Sequence, residues 1–139
     1  MADLSITAGD VLKITSTANI FDGISGGTIT AGMACYVDST DSDKVKPADA
    51  DSSSLTASVK GVALNGASSG QPVRVQLDGT IDIGATVTQG EIYVLSGNAG
   101  GIAPEADLAT GDYVSIIGVG SDTANQLELA ISNSGKQIP

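Results

Sequence analysis

Apolar and polar positions alternate along the chain in short runs, cut by glycines and polar turns, and no run keeps a helical period for more than a turn or two. This pattern predicts a nearly all-β protein. The expected strands are Asp10 to Thr15, Ala34 to Asp38, Val59 to Leu64, Pro72 to Leu77, Thr80 to Ile83, Glu91 to Leu95, Tyr113 to Val119 and Gln126 to Ile131. Between them, Gly26-Gly27, Asn65-Gly66, Asp78-Gly79 and Gly100-Gly101 supply residues that tolerate the positive φ of tight turns. The serine-rich stretch Asp49 to Thr56 reads as a loop.

The pattern also recurs. Thr30-Ala31-Gly32, Tyr36-Val37, Pro47-Ala48-Asp49, Gly61-Val62 and Val73 to Leu77 are followed by Thr88-Gln89-Gly90, Tyr93-Val94, Pro104 to Asp107, Gly118-Val119 and Leu127 to Ile131. The offsets are 57 or 58 until the last strand, where the offset is 54. Tyr36 and Tyr93 fall at matching positions, which suits packing in two similar halves. Neither half could bury a hydrophobic face alone. The expectation is therefore a single compact antiparallel β-barrel or sandwich, with residues 1–27 as an N-terminal segment and residues 28–139 as a duplicated domain, its halves about 28–79 and 86–135. Leu4, Ile6, Val11, Leu12, Ile14, Ile20 and Phe21 of the N-terminal segment need something to cover them.

A length of 139 residues is that of one domain, able to fold without disulfide or metal. The single cysteine, Cys35, alternates with Met33 and Val37 on an expected strand, which suits a buried, inert thiol. Gly, Ala, Ser and Thr make up 63 of the residues, tryptophan is absent and aromatics are 3 %, so the usual anchors of a ligand pocket are scarce. With no histidine, serine–histidine and cysteine–histidine catalysis is excluded, along with histidine bases and most zinc or iron chemistry. A net charge of −10 opposes binding to nucleic acid and to anionic membranes. Met1 to Asp10 has Asp3 and no basic residue, so no secretory signal is expected, and the apolar runs are too short for a membrane-spanning helix.

Three patterns invite chemistry and fall short of it. The acidic stretch Asp38 to Asp43, with Asp49 and Asp51, offers oxygen ligands but lacks the glycine and the bidentate glutamate that complete a calcium loop. Paired carboxylates for sugar hydrolysis would need a cleft with aromatic platforms, and the chain has three tyrosines. The glycine-rich pieces at 23–27 and 97–101 neither end in Gly-Lys-Ser/Thr nor open a helix, so they read as turns rather than phosphate cradles. No catalytic residue, cofactor or metal is expected. Arg74, the only arginine, is either a surface charge or a partner for an acid on a neighbouring subunit.

The run Ala63-Leu-Asn-Gly-Ala67 through Gly70-Gln-Pro-Val-Arg-Val-Gln76, the segment Gly84 to Gly90, and Gly100-Gly-Ile-Ala-Pro104 through Gly111-Asp-Tyr-Val114 resemble the small capsid cement, or head decoration, proteins of tailed bacteriophages. The resemblance covers the chain from about residue 29 onward. It implies a non-enzymatic virion protein on the capsid exterior, assembled in the host cytoplasm, whose partners are the major capsid protein and further copies of itself, often as a homotrimer. Candidate contacts to capsid or subunits are Leu4, Ile6, Val11, Leu12, Phe21 and Arg74. The rival readings are a tail or head-fibre component and a carbohydrate-binding β module.

Overall fold

The computed structural model describes residues 3–139. Eleven strands run β1 (Leu12–Lys13), β2 (Ile20–Ile24), β3 (Ala34–Asp38), β4 (Lys44–Pro47), β5 (Val59–Ala63), β6 (Pro72–Gln76), β7 (Gly79–Asp82), β8 (Ile92–Leu95), β9 (Ile102–Pro104), β10 (Tyr113–Gly120) and β11 (Gln126–Gln137). Two single turns of 3-10 helix, Ala8–Asp10 and Glu105–Asp107, complete the regular structure. The strands form two antiparallel sheets packed together as a β-sandwich, with no closed barrel. Strands β2, β4 and β9 were not among the expected ones; β4 and β9 have only four and three residues. The first expected strand shrinks to two residues behind a helical turn, whereas the last runs six residues past Ile131.

The sheet orders explain the repeated sequence. One sheet is β2-β6-β5-β3-β4 and the other β1-β7-β11-β10-β8-β9, so β2, β3, β4, β5 and β6 correspond to β7, β8, β9, β10 and β11. The correspondence thus begins at Ile20, upstream of residue 28. Registers sharpen it. Ala34–Val62, Cys35–Gly61 and Tyr36–Val59 are paired in one sheet, and Ile92–Val119, Tyr93–Gly118 and Val94–Ile116 in the other. Tyr93 therefore matches Cys35 rather than Tyr36, because the two strands are offset by 58 and not by the 57 that aligns the tyrosines. Likewise Val62–Gln76 matches Val119–Glu128, which makes the final offset 52 rather than 54.

Both registers slip by one residue at the same place, leaving Lys60 and Ile117 as the extra residues of two equivalent bulges. Glycine follows each bulge for a steric reason. A Cβ on Gly61 would collide with the Gln76 carbonyl oxygen, and one on Gly118 with the Glu128 carbonyl oxygen, across the neighbouring strand.

Burial on both faces of β3 produces two cores. Ala34 and Tyr36 join Val59 and Val62, and with Ile81, Ile83, Tyr93, Leu95, Ile102, Ile117, Leu127 and Leu129 they form the cluster shared by the two sheets. Cys35, Val45, Ala63, Val73 and Val75 point the other way and cluster with Ile29 and Ala67. That second core exists because the first sheet curls. Its end strands meet at a single Ser25–Val45 bridge, where the Gly26 N–H donates to the Val45 carbonyl at 2.9 Å. Between the sheets, Ser115 Oγ donates to the Ala57 carbonyl, while the Asn133 carboxamide accepts from Val59 N–H at 2.9 Å and donates to its carbonyl at 3.0 Å. Asn133 thus satisfies backbone groups of β5 that lie beyond its ladder with β6.

Substituting alanine for Gly61 or Gly118 is expected to cost about 2–3 kcal/mol each, since a backbone carbonyl must move. Gly27→Ala, where nothing lies within 4 Å of the added methyl, should stay within about 0.5 kcal/mol. Urea melts of the three variants check this.

Candidate functional site

The N-terminal segment is bound to the domain at successive points. Leu4 N–H donates to the Ile102 carbonyl and Thr7 N–H to the Gly84 carbonyl, both at 2.8 Å. Leu4, Ile6 and Val11 pack against the shared core. Gly32, at φ +94°, leaves the space that the Ile6 side chain fills. Three of the six candidate contact residues therefore cover the protein's own interior.

The other three differ among themselves. Phe21 packs against the second core, with the Lys60 ammonium 5.1 Å from its ring centroid. Arg74 faces Asp22 across the β2–β6 ladder and donates from Nε to its carboxylate at 2.9 Å, so the acid is supplied by the same chain. Both side chains remain mostly in solvent, where such a pair contributes little. Leu12 is 61 % exposed. Two residues outside the contact candidates join it: Ile14 at 40 %, which the sequence had placed among the uncovered apolar residues, and Ile24 at 46 %, which it had not. Ile14 shares a strand face with Leu12 through its i,i+2 spacing. Ile24 gave no such signal, because β2 itself was not anticipated.

The acidic residues separate into two groups with different chemistry. Asp38 and Asp41 both contact Lys46, at 2.8 and 2.9 Å, and Asp38 also accepts from the Thr40 N–H and hydroxyl. The hydrogen bonds from Lys46 and Thr40 hold the Asp38 carboxyl at about 2. These carboxylates face an ammonium rather than an empty ligand cage. Asp49 and Asp51 lie elsewhere. A hollow of about 320 Å³ is lined by Asp3, Asp51, Asp107 and Asp112 beside Ser96 and Asn98, and burial, followed by the neighbouring Asp51, raises the pKa of Asp49. Among the described residues no group of three or more acidic or cysteine side chains is arranged to hold a metal ion. Cys35 is fully buried, and burial pushes its thiol up to about 12. It is therefore a poor nucleophile near neutral pH.

Compared with known proteins, the chain matches no protein-family model and no curated protein.

The two acidic groups should respond to pH with opposite signs. Asp38 titrates lower in the fold than the ordinary carboxyl value of 3.8, so its contribution to stability is present above that value and is lost as pH falls towards 2. Asp49 titrates higher in the fold, so ionising it opposes folding and the penalty is absent in acid. Denaturant midpoints from pH 6 to pH 2 should fall less steeply for Asp38→Asn than for wild type. Asp49→Asn should raise the midpoint at pH 6, and the gain should vanish by pH 2.

Proposed function

We propose that this protein is a non-enzymatic virion protein that binds the outside of a bacteriophage capsid and stabilises it by bridging neighbouring capsid subunits, acting as a homotrimer. The observation that carries the reading is the placement of the exposed large apolar side chains. Leu12, Ile14 and Ile24 are the ones among the described residues, and all lie between residues 12 and 24, on or beside the end strands β1 and β2 of the two sheets. Anchors confined to one stretch of an otherwise well-buried domain suit docking onto a preformed surface. The resemblance of residues 63–76, 84–90 and 100–114 to capsid cement proteins supplies the partner. A carbohydrate module is disfavoured because Tyr36 and Tyr93 are buried in the shared core and Tyr113 is half-buried against it.

In this reading the major capsid protein supplies the complementary apolar surface, and a bound copy resists separation of the subunits it spans. Co-sedimentation with empty shells lacking the protein tests it. Wild type should pellet with shells and raise their disruption temperature. Leu12→Ser and Ile24→Ser should each weaken attachment about tenfold, the loss of a modest apolar anchor, while the melting curve of the free protein changes little. Failure of wild type to bind shells, or full binding by the double variant, would overturn the proposal. Sedimentation with tail tubes instead would assign the protein to the tail.

A further inference from the structure

Beyond β5, the ladder to β6 is continued by a side chain. Val62–Gln76 and Ala63–Val75 are its paired positions, so the register would next place Leu64 opposite Arg74 and Gly66 opposite Pro72. Leu64 N–H does donate to the Arg74 carbonyl, at 2.8 Å. The return bond is different. Arg74 N–H donates to Asn65 Oδ1 at 2.7 Å, where a regular antiparallel pair would use the Leu64 carbonyl. Asn65 Nδ2 donates to the Pro72 carbonyl at 3.2 Å, the acceptor that a continuing ladder would offer to Gly66 N–H, and to the Gly66 carbonyl at 3.0 Å. The carboxamide thus stands in for two main-chain groups, and the exposed Gly66 is left with an N–H that has no protein acceptor among the described residues. Gly66 has no side chain to shield that nitrogen, and the space where one would lie meets one atom within 4 Å, the Ile29 carbonyl oxygen at 3.5 Å.

We infer that Asn65 is a modification site, at which the Gly66 nitrogen attacks the Asn65 side chain and the asparagine is deamidated. The Gly66 nitrogen gives its proton to hydroxide and bonds to Asn65 Cγ, the Cγ–Nδ2 bond breaks, and ammonia leaves with a proton from water, closing a succinimide ring. Water then opens the ring at either carbonyl, giving aspartate or, with the main chain rerouted through Cγ, isoaspartate. The hydrogen bonds of the carboxamide set the rate. With Oδ1 held by Arg74 and Nδ2 by Pro72, Cγ turns to the Gly66 nitrogen only when this end of the ladder opens, and a local opening of about 1.4 kcal/mol slows the step about tenfold. Both products weaken the ladder. A carboxylate loses the two donations from Nδ2 and sets an anion against the Pro72 and Gly66 carbonyl oxygens. Isoaspartate adds a main-chain methylene between Ala63, fixed opposite Val75, and Ala67, fixed to Ile29 by hydrogen bonds at 2.8 and 2.9 Å, and both alanines belong to the second core.

The test ages the full chain in mildly alkaline buffer and follows it by anion exchange, isoaspartate labelling and peptide mapping. Asn65 should convert in the folded protein before Asn19, Asn98, Asn125 and Asn133, each of which precedes a residue larger than glycine. It should convert about tenfold more slowly than in the urea-unfolded chain. Gly66→Ala, whose added methyl has room, should fold as wild type and convert at least tenfold more slowly at position 65. Asn65→Asp, which carries the first product from the outset, should lower the urea midpoint of fresh protein. An Asn65 that stays intact in the folded protein after the unfolded control has converted, or a folded Gly66→Ala that converts at the wild-type rate, would overturn the site. Equal rates in folded and unfolded chains would overturn control by the hydrogen bonds, and an Asn65→Asp midpoint equal to that of wild type would overturn the weakening of the ladder.

Discussion

Two strands in this protein bulge at equivalent points, and each bulge is followed by a glycine whose missing Cβ admits a carbonyl oxygen from the neighbouring strand. Without Gly61 and Gly118 the ladders β5–β6 and β10–β11 could not close at that spacing. The bulges also change which residue faces inward. Beyond Lys60, Val62 and Ala63 point to opposite cores, and beyond Ile117 the strand resumes with its small Gly118 and Gly120 on the inner face. Local twist rises at a bulge. Both sheets carry the bulge, and the first also curls far enough to bring β2 to β4 and enclose the second core.

Small side chains are the other half of the same design. Ala34, Ala48, Ala50 and Ala57 are buried in the shared core, where the backbone of one sheet comes close enough to the other for Ser115 and Asn133 to hydrogen-bond it directly. A core built this way gains less from each side chain than one filled with aromatics, because burial free energy scales with apolar area at roughly 25 cal/mol per Å². Satisfied backbone groups between the sheets reduce the cost of that close approach. Gln76 is the exception: its amide donates to the Asp78 and Thr80 carbonyls, while its own oxygen is buried without a protein partner.

Much of the fold was legible in the sequence because period-two alternation and glycine punctuation are local signals. Eight expected strands and a duplication required no knowledge of tertiary structure. What escaped was non-local. Strand β2 carries Gly23 one residue before its end, placed there because a side chain would strike Val45 of β4 and the ring of Phe21, and that need appears only when the sheet curls. The tyrosines misaligned the repeat because identity of residue type outweighed register, and only the pairing of Cys35 with Gly61 and of Tyr93 with Gly118 reveals the extra residue. The contact candidates suffered from a similar limit. Apolar residues outside the repeat looked uncovered, yet Leu4, Ile6 and Val11 cover the shared core, a fact that depends on the chain passing beside β9 and Gly84.

The charge distribution bears on how such a domain meets copies of itself. Sixteen acidic residues face six basic ones, and three of those six, Lys44, Lys46 and Arg74, already pair with acids of the same chain. The net charge is −10, and free molecules repel one another over the Debye length of roughly 10 Å at 0.1 M salt. Association has to proceed through a surface where that charge is thin. Leu12, Ile14 and Ile24, the exposed large apolar side chains among the described residues, lie in a stretch of the chain whose only charged residues are Lys13 and Asp22. Repulsion elsewhere on the molecule then limits how copies of the proposed homotrimer can meet. Exposed apolar area supplies attraction, and a surface this acidic opposes contacts that bring its carboxylates together.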